Sequence, residues 1–426
     1  MAQYNTTQTL DGLFRDVFGD GPINAIPEVA ILQSKIKFKQ SERIGKAYVF
    51  PVILTSEAGV TYLVAGAGVQ TLNDSIAAQL KEASIDANQI IIRGQMDYEA
   101  AAKAAAGGKV AFKNATELLV ENLMETGSRR LEMAFLYGQS ATGLGTADSS
   151  VNVNTTSTNV TMLASGWAPG IWAGCENAVV QFYKVSDNSL VSSAANALFT
   201  VTSVDFSTRV IKFTGSTTGI TALDAALGAG DCYIHWKDAK SAEPVGLDKI
   251  ITNTGSLFGI DAAVYSLWSG SSYSFGSAAA TVAKILNMVG LAVSKGGLME
   301  EVDLLLSPKT FTNLSGTMTD LRRQNGGQSE KTGIGGFESI VLMGPSGKIN
   351  LVPHPMVKEG ECFAAPMKRF KRIGSQEFSF ETPGRSGELF LHVPDKNAYE
   401  LRLYGAQAII CETPAKCVKG TGIVNS

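Results

Sequence analysis

The chain has 426 residues, of which 45% are hydrophobic and 18% charged, and its formal net charge is −3. This length is enough for two or three domains with their own cores. The small negative charge argues against a dedicated nucleic-acid binder, which normally carries a basic excess. The N-terminal residues are polar and mixed in charge, and no apolar run reaches the roughly 18 residues that a membrane helix needs. The sequence therefore predicts no secretory signal and no membrane-spanning helix.

The first 43 residues have weak periodicity and several turn formers, and only a short helix at Thr9–Phe18 is expected there. This segment cannot form a core, so it is either a disordered tail or lies across another surface. From Ala47 the sequence AYVFPVILTSEAGVTYLVA predicts a β-hairpin whose turn contains Glu57. A helix is then expected at Asn73–Ala87, an extended segment at Gln89–Gly94 and a helix at Asp97–Gly107. A hairpin with so little core needs a partner surface.

A long amphipathic helix is predicted from Asn114 to Gly138, with a broad apolar face and a polar face that includes Glu125 and Arg129. Arg130 is the exception because it lies inside the apolar face. Two interpretations of Arg130 remain open, a snorkelling side chain at the edge of the core or a contact with a neighbouring subunit. The helix is interpreted as a structural spine that carries no catalytic residue.

Composition changes after the helix. Between about Gly145 and Asp238 the chain is rich in Ser, Thr, Gly, Asn and Val, and short alternating runs are separated by polar turns. This pattern is typical of a small antiparallel β-sandwich or barrel, which we interpret as an inserted domain.

From Glu243 the sequence returns to a mixed α/β pattern. A helix is predicted at Ser277–Lys295 with a stop at the following two glycines, and VDLLLS is a buried strand. Ser307 and Pro308 indicate the start of another helix. The segment Arg322–Gly336 is a polar, glycine-rich loop, and the remainder of the chain is read as strands.

No catalytic or cofactor-binding set is found. The three histidines are far apart, the five cysteines form no CxxC motif, and the only close pair, Cys411 and Cys417, has no histidine nearby. The cysteines are interpreted as scattered thiols in a reducing cytosol. GAGVQT at Gly66 fails as a dinucleotide-binding motif, so no enzyme activity, cofactor or metal site is expected.

One basic cluster, MKRFKR, places Lys368, Arg369, Lys371 and Arg372 around Phe370. Three interpretations remain open: a solvated strand face, ion pairs with a neighbouring subunit, or weak and sequence-independent attraction to packaged nucleic acid.

The order of these parts resembles the major capsid protein of tailed bacteriophages, with the Hong Kong 97-like shell fold. The resemblance rests on the helix ending in LEMAFLYGQSATGLG, on PVGLDKIITNTGSLFGID, on GKINLVPHPMVKEGECFAAP and on the closing NAYELRLYGAQAII. It implies an α+β fold that carries an inserted all-β domain.

The resemblance also implies a division of the chain into seven parts. These are an N-terminal arm (1–43), an extended loop (44–108), a peripheral domain with the spine helix (109–144), the inserted β domain (145–242), an axial domain (243–358), peripheral return strands (359–393) and C-terminal axial strands (394–426). Glu57, Arg130 and the four basic residues of MKRFKR are expected at subunit interfaces. Arg322, Arg323 and Lys331 are expected in a loop near the capsomer axis.

The function implied is a non-enzymatic subunit that assembles into hexamers and pentamers in the host cytoplasm and becomes part of the virion. Its expected partners are other copies of itself, portal and scaffolding or decoration proteins, and double-stranded DNA held by non-specific contacts, with no membrane partner. An encapsulin-like nanocompartment subunit and a β-domain-bearing surface or adhesion protein are the alternatives.

Overall fold

The computed structural model describes residues 30–36, 38, 47–66, 68–99, 109–149, 158–324, 340–380, 390–394 and 396–425. The helices are α1 (Ile31–Lys35), α2 (Lys109–Tyr137), α3 (Pro169–Trp172), α4 (Thr217–Ala229), α5 (Leu247–Ile251), α6 (Val282–Gly296) and α7 (Pro308–Gln324). The strands of the N-terminal half are β1 (Tyr48–Ile53), β2 (Leu80–Ile85), β3 (Asn88–Asp97), β4 (Gly145–Ala147), β5 (Thr158–Thr161), β6 (Val179–Lys184), β7 (Phe199–Asp205), β8 (Val210–Gly215) and β9 (Cys232–Trp236). Those of the C-terminal half are β10 (Ser256–Leu257), β11 (Ile260–Asp261), β12 (Ser271–Ala278), β13 (Val302–Leu306), β14 (Ile340–Gly344), β15 (Gly347–Pro353), β16 (Glu361–Ala365), β17 (Phe370–Ser379), β18 (Leu391–His392), β19 (Ala398–Cys411) and β20 (Val418–Ile423).

The predicted long helix is confirmed as α2, which begins five residues earlier than expected and has 29 residues. Its last seven residues, 131–137, are all buried, with Leu131 and Phe135 both at 0% exposure. The assignment of a polar, solvent-facing side is therefore wrong toward the C-terminal end, since Arg129 and Glu132 are also buried. Helical periodicity separates polar from apolar positions, but it cannot show that a polar side chain has partners in the interior.

Strand β19 is the centre of what we call the peripheral sheet. It pairs antiparallel with β17, β18 and β3, and its pairing with β3 runs without interruption from Ala398↔Asp97 to Gln407↔Asn88. The extended segment predicted at Gln89–Gly94 is thus confirmed as part of β3. The helix predicted at Asp97–Gly107 lies mostly outside the described residues.

The predicted hairpin is wrong in its pairing. β1 pairs antiparallel with β2, from Tyr48↔Ile85 to Ile53↔Leu80, and not with the segment that follows Gly59. The helix predicted at Asn73–Ala87 is therefore also wrong, since its C-terminal half is strand β2. Short apolar patterns do not distinguish a strand from a helix, and here the contact with β1 decides.

The region after α2 forms an antiparallel six-stranded sheet, which we call the insertion sheet, in the order β4-β9-β6-β7-β8-β5. The antiparallel prediction holds, but the expectation of an all-β sandwich or barrel is wrong because α4 lies between β8 and β9. The Ser216 side chain accepts a hydrogen bond from Gly219 N and caps this helix. The sequence did not indicate this helix because threonine and glycine, which are poor helix formers, lie near its start. Its buried apolar residues include Ile220, Leu223 and Leu227. Side chains of this sheet and of α2 belong to one continuous core.

A second six-stranded sheet, which we call the axial sheet, has the order β12-β20-β16-β13-β15-β14. Helix α6 begins at Val282 and not at the expected Ser277, which belongs to β12. It packs its predicted apolar face into a separate core and stops at the predicted glycines, with Gly297 as a left-handed C-cap with φ of 61°. The start of α7 is also as predicted, because Ser307 Oγ accepts a hydrogen bond from Thr310 N at 3.2 Å. Because α7 continues to Gln324, Arg322 and Arg323 lie in a helix and not in the expected loop. Lys331 lies outside the described residues.

Candidate functional site

The most exposed apolar surface of the described chain lies on the segment between β1 and β2, residues 54–79, which we call the extended loop. Tyr62 is 91% exposed, Val64 81% and Leu72 72%. Other large apolar side chains of this segment that are more than half exposed are Val60, Leu63, Val69 and Ile76. Contiguous exposed apolar surface of this kind marks an interaction site on a soluble protein.

The two arms of the extended loop are bonded to each other although their side chains face solvent. Leu54 N donates to Gln79 O at 2.9 Å, and Ala58 N donates to Ile76 O at 3.1 Å. Nearer the tip, Asn73 Nδ2 donates to Val60 O at 2.9 Å. The backbone is therefore organised before any partner binds, which reduces the conformational entropy lost on binding.

A small cluster anchors the root of the extended loop. Leu54 and Ala83 are buried there against Trp268, whose Nε1 donates to Leu257 O at 2.8 Å. Glu57, predicted at an interface, lies beyond this root and is exposed.

Helix α2 carries two buried charged residues that hold neighbouring segments. The Glu132 carboxylate accepts hydrogen bonds from Leu32 N at 2.5 Å and from Gln33 N at 3.2 Å, at the start of α1. It also contacts His354 Nε2 at 3.0 Å. Arg129 donates to the carbonyl oxygens of Gly170 and Ile171 in α3. The described part of the N-terminal segment therefore packs on its own chain, whereas the helix predicted at Thr9–Phe18 lies outside the described residues.

Arg130 has a partner that the sequence did not indicate. Its guanidinium lies 3.4 Å from the ring centroid of Trp236 at the end of β9, and this cation–π contact joins α2 to the insertion sheet. Burial lowers the pKa of Arg130. Burial also raises the pKa of Glu243 to about 7, although the charge of Arg130 opposes that shift. The expected contact of Arg130 with a neighbouring subunit stays a prediction.

The four basic residues of MKRFKR all have acidic partners in the same chain. Arg369 binds both oxygens of Glu300, and Lys371 Nζ lies 3.0 Å from Glu412 Oε1. Lys368 pairs with Glu301 at 3.1 Å, and Arg372 pairs with Glu377 at 2.9 Å. Sequence reasoning missed these pairs because the carboxylates of Glu300, Glu301 and Glu412 are distant along the chain. A role at subunit interfaces stays a prediction for these residues.

Glu300 also accepts a hydrogen bond from Lys416 at 2.6 Å. Lys416 and Glu412 belong to the turn between β19 and β20, which connects the peripheral sheet to the axial sheet. We call this turn, residues 412–416, together with Glu300, Arg369 and Lys371, the inter-sheet joint. A Cβ atom on Gly296 would lie 2.5 Å from Ala415 O, so the turn packs closely on the end of α6.

The joint should weaken in acid. Hydrogen bonds from Arg369 and Lys416 lower the pKa of Glu300 from 4.5 to about 2. Because the folded-state pKa is depressed, the stabilisation is present above pH 4.5 and is lost as the pH falls toward about 2. The difference in Tm between the native chain and Glu300→Gln should therefore be largest above pH 4.5 and shrink toward pH 2, measured by differential scanning calorimetry. The same scan on Glu57→Gln is the control; a difference for Glu300→Gln that does not vary with pH would contradict this account.

A buried charge cluster lies between α5, β16 and β20. Lys419 Nζ contacts Asp248 Oδ1 at 2.6 Å and Glu361 Oε1 at 2.8 Å. Burial raises the pKa of Asp248, whereas Lys419 and Lys358 outweigh burial and lower the pKa of Glu361. Burial lowers the pKa of Lys358 to about 8. The cluster borders a polar pocket of about 420 Å³, lined by both Lys358 and Glu361.

Other chemistry is sparse in the described part of the chain. The described residues include no group of three or more histidine, cysteine or acidic side chains placed to bind a metal ion. Within the same residues, no helix combines the length and apolarity required to cross a membrane. Burial lowers the pKa of His235 to about 4, and the ring contacts Ala141 O. The arrangement thus offers contact surfaces and buried ion pairs.

The sequence matches no protein-family model and no curated protein. The structure is similar to solved capsid structures over nearly its whole length. A chain of the cyanophage A-1(L) capsid asymmetric unit superposes with a TM-score of 0.57 at 12% identity, covering 98% of this chain and 99% of that chain. A chain of the native GTA particle capsid gives a TM-score of 0.51 at 9% identity, covering 99% of this chain and 100% of that chain. The resemblance inferred from the order of the sequence elements is thus confirmed at the level of the fold: this chain has the α+β fold of these phage and GTA capsid proteins.

Proposed function

We propose that this chain is the major capsid protein of a tailed phage or a related particle, a non-enzymatic subunit that assembles into hexamers and pentamers of an icosahedral head. One observation carries the proposal: the extended loop is ordered by its own hydrogen bonds, yet presents a row of large apolar side chains to solvent. Such a surface requires a partner, and the fold similarity makes another copy of this chain the favoured one.

Assembly through this loop would be head-to-tail, because the loop of one copy would rest on a different surface of its neighbour. Such heterologous contacts generate rings when the rotation between copies closes. Large apolar interfaces are typical of obligate assemblies. Helix α2, whose C-terminal end is buried in the core, would keep each subunit in shape while the loop adapts to rings of different size.

The finer division of the chain belongs to this proposal. We assign residues 1–43 to an arm, 44–108 to the extended-loop region and 145–242 to an insertion. The insertion sheet lies between α2 and α5 in the chain, which supports the last assignment. Glu57 and Lys368 remain proposed interface residues because both are exposed. Arg322, Arg323 and Lys331 remain proposed neighbours of the capsomer axis.

We further propose double-stranded DNA, a portal and scaffolding or decoration proteins as partners, with assembly in the host cytoplasm. An encapsulin-like shell is the second candidate, favoured by the same exposed loop, and it differs in enclosing a protein cargo. A β-domain-bearing surface protein is less favoured because the capsid-like fold extends over the entire chain and not only over the insertion sheet.

Electron microscopy of the purified full-length protein tests the proposal. We expect closed shells built from rings of six and five subunits. Particles isolated from producing cells should contain double-stranded DNA, whereas protein cargo would favour the encapsulin-like alternative. A stable solitary monomer at high protein concentration would refute both candidates.

The insertion sheet is proposed to project outward from the shell. A short peptide epitope placed between Ala194 and Ala195, which are exposed in a turn, should leave assembly intact. Intact particles should then bind the antibody, measured by immunogold electron microscopy. The same epitope after Gly66 is the matched comparison and should prevent assembly. Binding only after the particles are broken open would contradict the outward orientation.

A further inference from the structure

Two buried thiols face each other at the inter-sheet joint. Cys411 ends β19 and Cys417 immediately precedes β20, so the two residues bracket the turn. Their side chains are 1% and 0% exposed, and the two Sγ atoms are 3.8 Å apart. Two of the other cysteines have different neighbours: Cys175 Sγ donates to Ile171 O, and Cys362 Sγ contacts Met288 Sδ.

The backbone of the turn holds the two thiols in this arrangement. Lys416 N donates to Thr413 O at 3.1 Å, and Cys417 N donates to Pro414 O at 2.9 Å. A disulfide requires the sulfurs to approach to about 2.05 Å. From 3.8 Å, that approach requires the two sulfurs to move together by roughly 1.8 Å.

The turn is also mechanically important. It is one of two short covalent connections between the peripheral and axial sheets, the other being residues 366–369 between β16 and β17. It bears both Glu412, which pairs with Lys371, and Lys416, which pairs with Glu300. A bond across its two ends would restrict the relative movement of the sheets without adding any contact elsewhere.

We propose that Cys411 and Cys417 form a reversible disulfide that clamps the inter-sheet joint when the protein passes from a reducing to an oxidising environment. The change of environment rests on the proposed function, since a capsid is assembled in the cytoplasm and then released. The bond itself does not depend on assembly.

The reaction consumes glutathione disulfide. The thiolate of one cysteine, having lost its proton to solvent, attacks one sulfur of glutathione disulfide and expels a glutathione thiolate, which leaves a protein–glutathione mixed disulfide. The second cysteine then loses its proton and attacks the sulfur of the first cysteine in this mixed disulfide, which forms the Cys411–Cys417 bond and expels the second glutathione as a thiolate. Each expelled thiolate takes up one of the released protons. Two protein thiols are oxidised, and one glutathione disulfide is reduced to two glutathione molecules.

Burial should make this reaction slow. The neighbouring Cys411 and burial raise the pKa of the Cys417 thiol, so little thiolate is present at neutral pH. The oxidant also reaches the sulfurs only when the joint opens. Both effects keep the thiols free during assembly and permit the bond to form over a longer exposure to oxidant.

Mass spectrometry of the full-length protein tests the bond. The protein is incubated with glutathione disulfide or with dithiothreitol, denatured, alkylated with iodoacetamide and digested with trypsin. After dithiothreitol, all five cysteines should be alkylated. After glutathione disulfide, only Cys175, Cys232 and Cys362 should be alkylated, and the tryptic peptides on either side of the Lys416–Cys417 bond should be joined.

Two outcomes would overturn the proposal. One is alkylation of both Cys411 and Cys417 after prolonged oxidation. The other is a persistent glutathione adduct on either residue of the native sequence, which would mean that the second thiol cannot complete the exchange. In Cys411→Ser the adduct on Cys417 is the expected end point, because no resolving thiol remains.

The effect of the disulfide on the stability of the inter-sheet joint is tested separately from the formation of the bond. The oxidised protein should unfold at a higher temperature than the reduced protein, and the difference should disappear in Cys411→Ser and after addition of dithiothreitol. Formation of the disulfide without any change in Tm would refute the proposal that it stabilises the inter-sheet joint. Because soluble subunits serve for both measurements, failure to form shells would count against the proposed function and not against the disulfide.

Discussion

Replacing Tyr62, Leu63 and Val64 together with serine should leave a folded, soluble subunit that no longer forms shells. These side chains lie outside the hydrophobic core clusters of their own chain and are 91%, 55% and 81% exposed. Burying a large apolar side chain contributes about 1.5–3 kcal/mol. Losing three such side chains from each interface should weaken subunit association by several orders of magnitude.

Analytical ultracentrifugation and electron microscopy measure this effect, and circular dichroism checks that the subunit is folded. The matched control replaces Val185 and Phe206 with serine; these residues are 40% and 46% exposed in the turns that follow β6 and β7. That variant should assemble normally if the insertion projects outward. Normal shells from the triple extended-loop variant would show that this loop is not the assembly contact.

Replacing Lys419 with methionine should be strongly destabilising, by about 3–5 kcal/mol. Lys419 is 5% exposed and is the cation between Asp248 and Glu361. Its removal leaves two buried carboxylates close together with Lys358 as the nearest remaining cation. The free energy of unfolding from urea titration, and Tm from calorimetry, should both fall well below the native values.

A companion variant separates charge from packing. Lys419→Met combined with Asp248→Asn and Glu361→Gln removes the unpaired charges and should recover a large part of the lost stability. Lys368→Met is the surface control, since Lys368 is 75% exposed in its pair with Glu301 and should change stability by less than about 1 kcal/mol. If Lys419→Met were no more destabilising than Lys368→Met, the buried cluster would not be a source of stability.

Helices with strong periodicity and clear end signals were predicted well from sequence. The body of the 29-residue helix α2, the stop of α6 at the glycine pair 296–297 and the start of α7 after Ser307 follow from apolar spacing and these end signals. The start of α6 and the end of α7 were predicted wrongly, since α6 begins at Val282 and not at Ser277, and α7 continues to Gln324. The alternating strand β19 was also recognised. In each case the signal is local, because the preferred conformation and the buried face are encoded within one or two turns or one strand.

Segments whose structure depends on distant partners were predicted poorly. The local pattern of β2 predicts a helix, and only its pairing with β1 makes it a strand. The region that contains helix α4 was predicted to consist of strands only. The acidic partners of the basic cluster were also missed, since Arg369 and Glu300 are 69 residues apart. No local pattern specifies which distant charge will be adjacent.

The sequence by itself thus determined the spine helix, the β-rich region and the α/β region in this order, because these features depend on composition and short-range periodicity. The resemblance to a capsid subunit followed from the motifs in that order. Only the tertiary structure decided that Arg129 and Glu132 are buried anchors, that the extended loop exposes large apolar side chains among the described residues, and that Cys411 and Cys417 are in contact. Burial and pairing are properties of the whole chain, since a side chain is shielded from water by residues that can be hundreds of positions away.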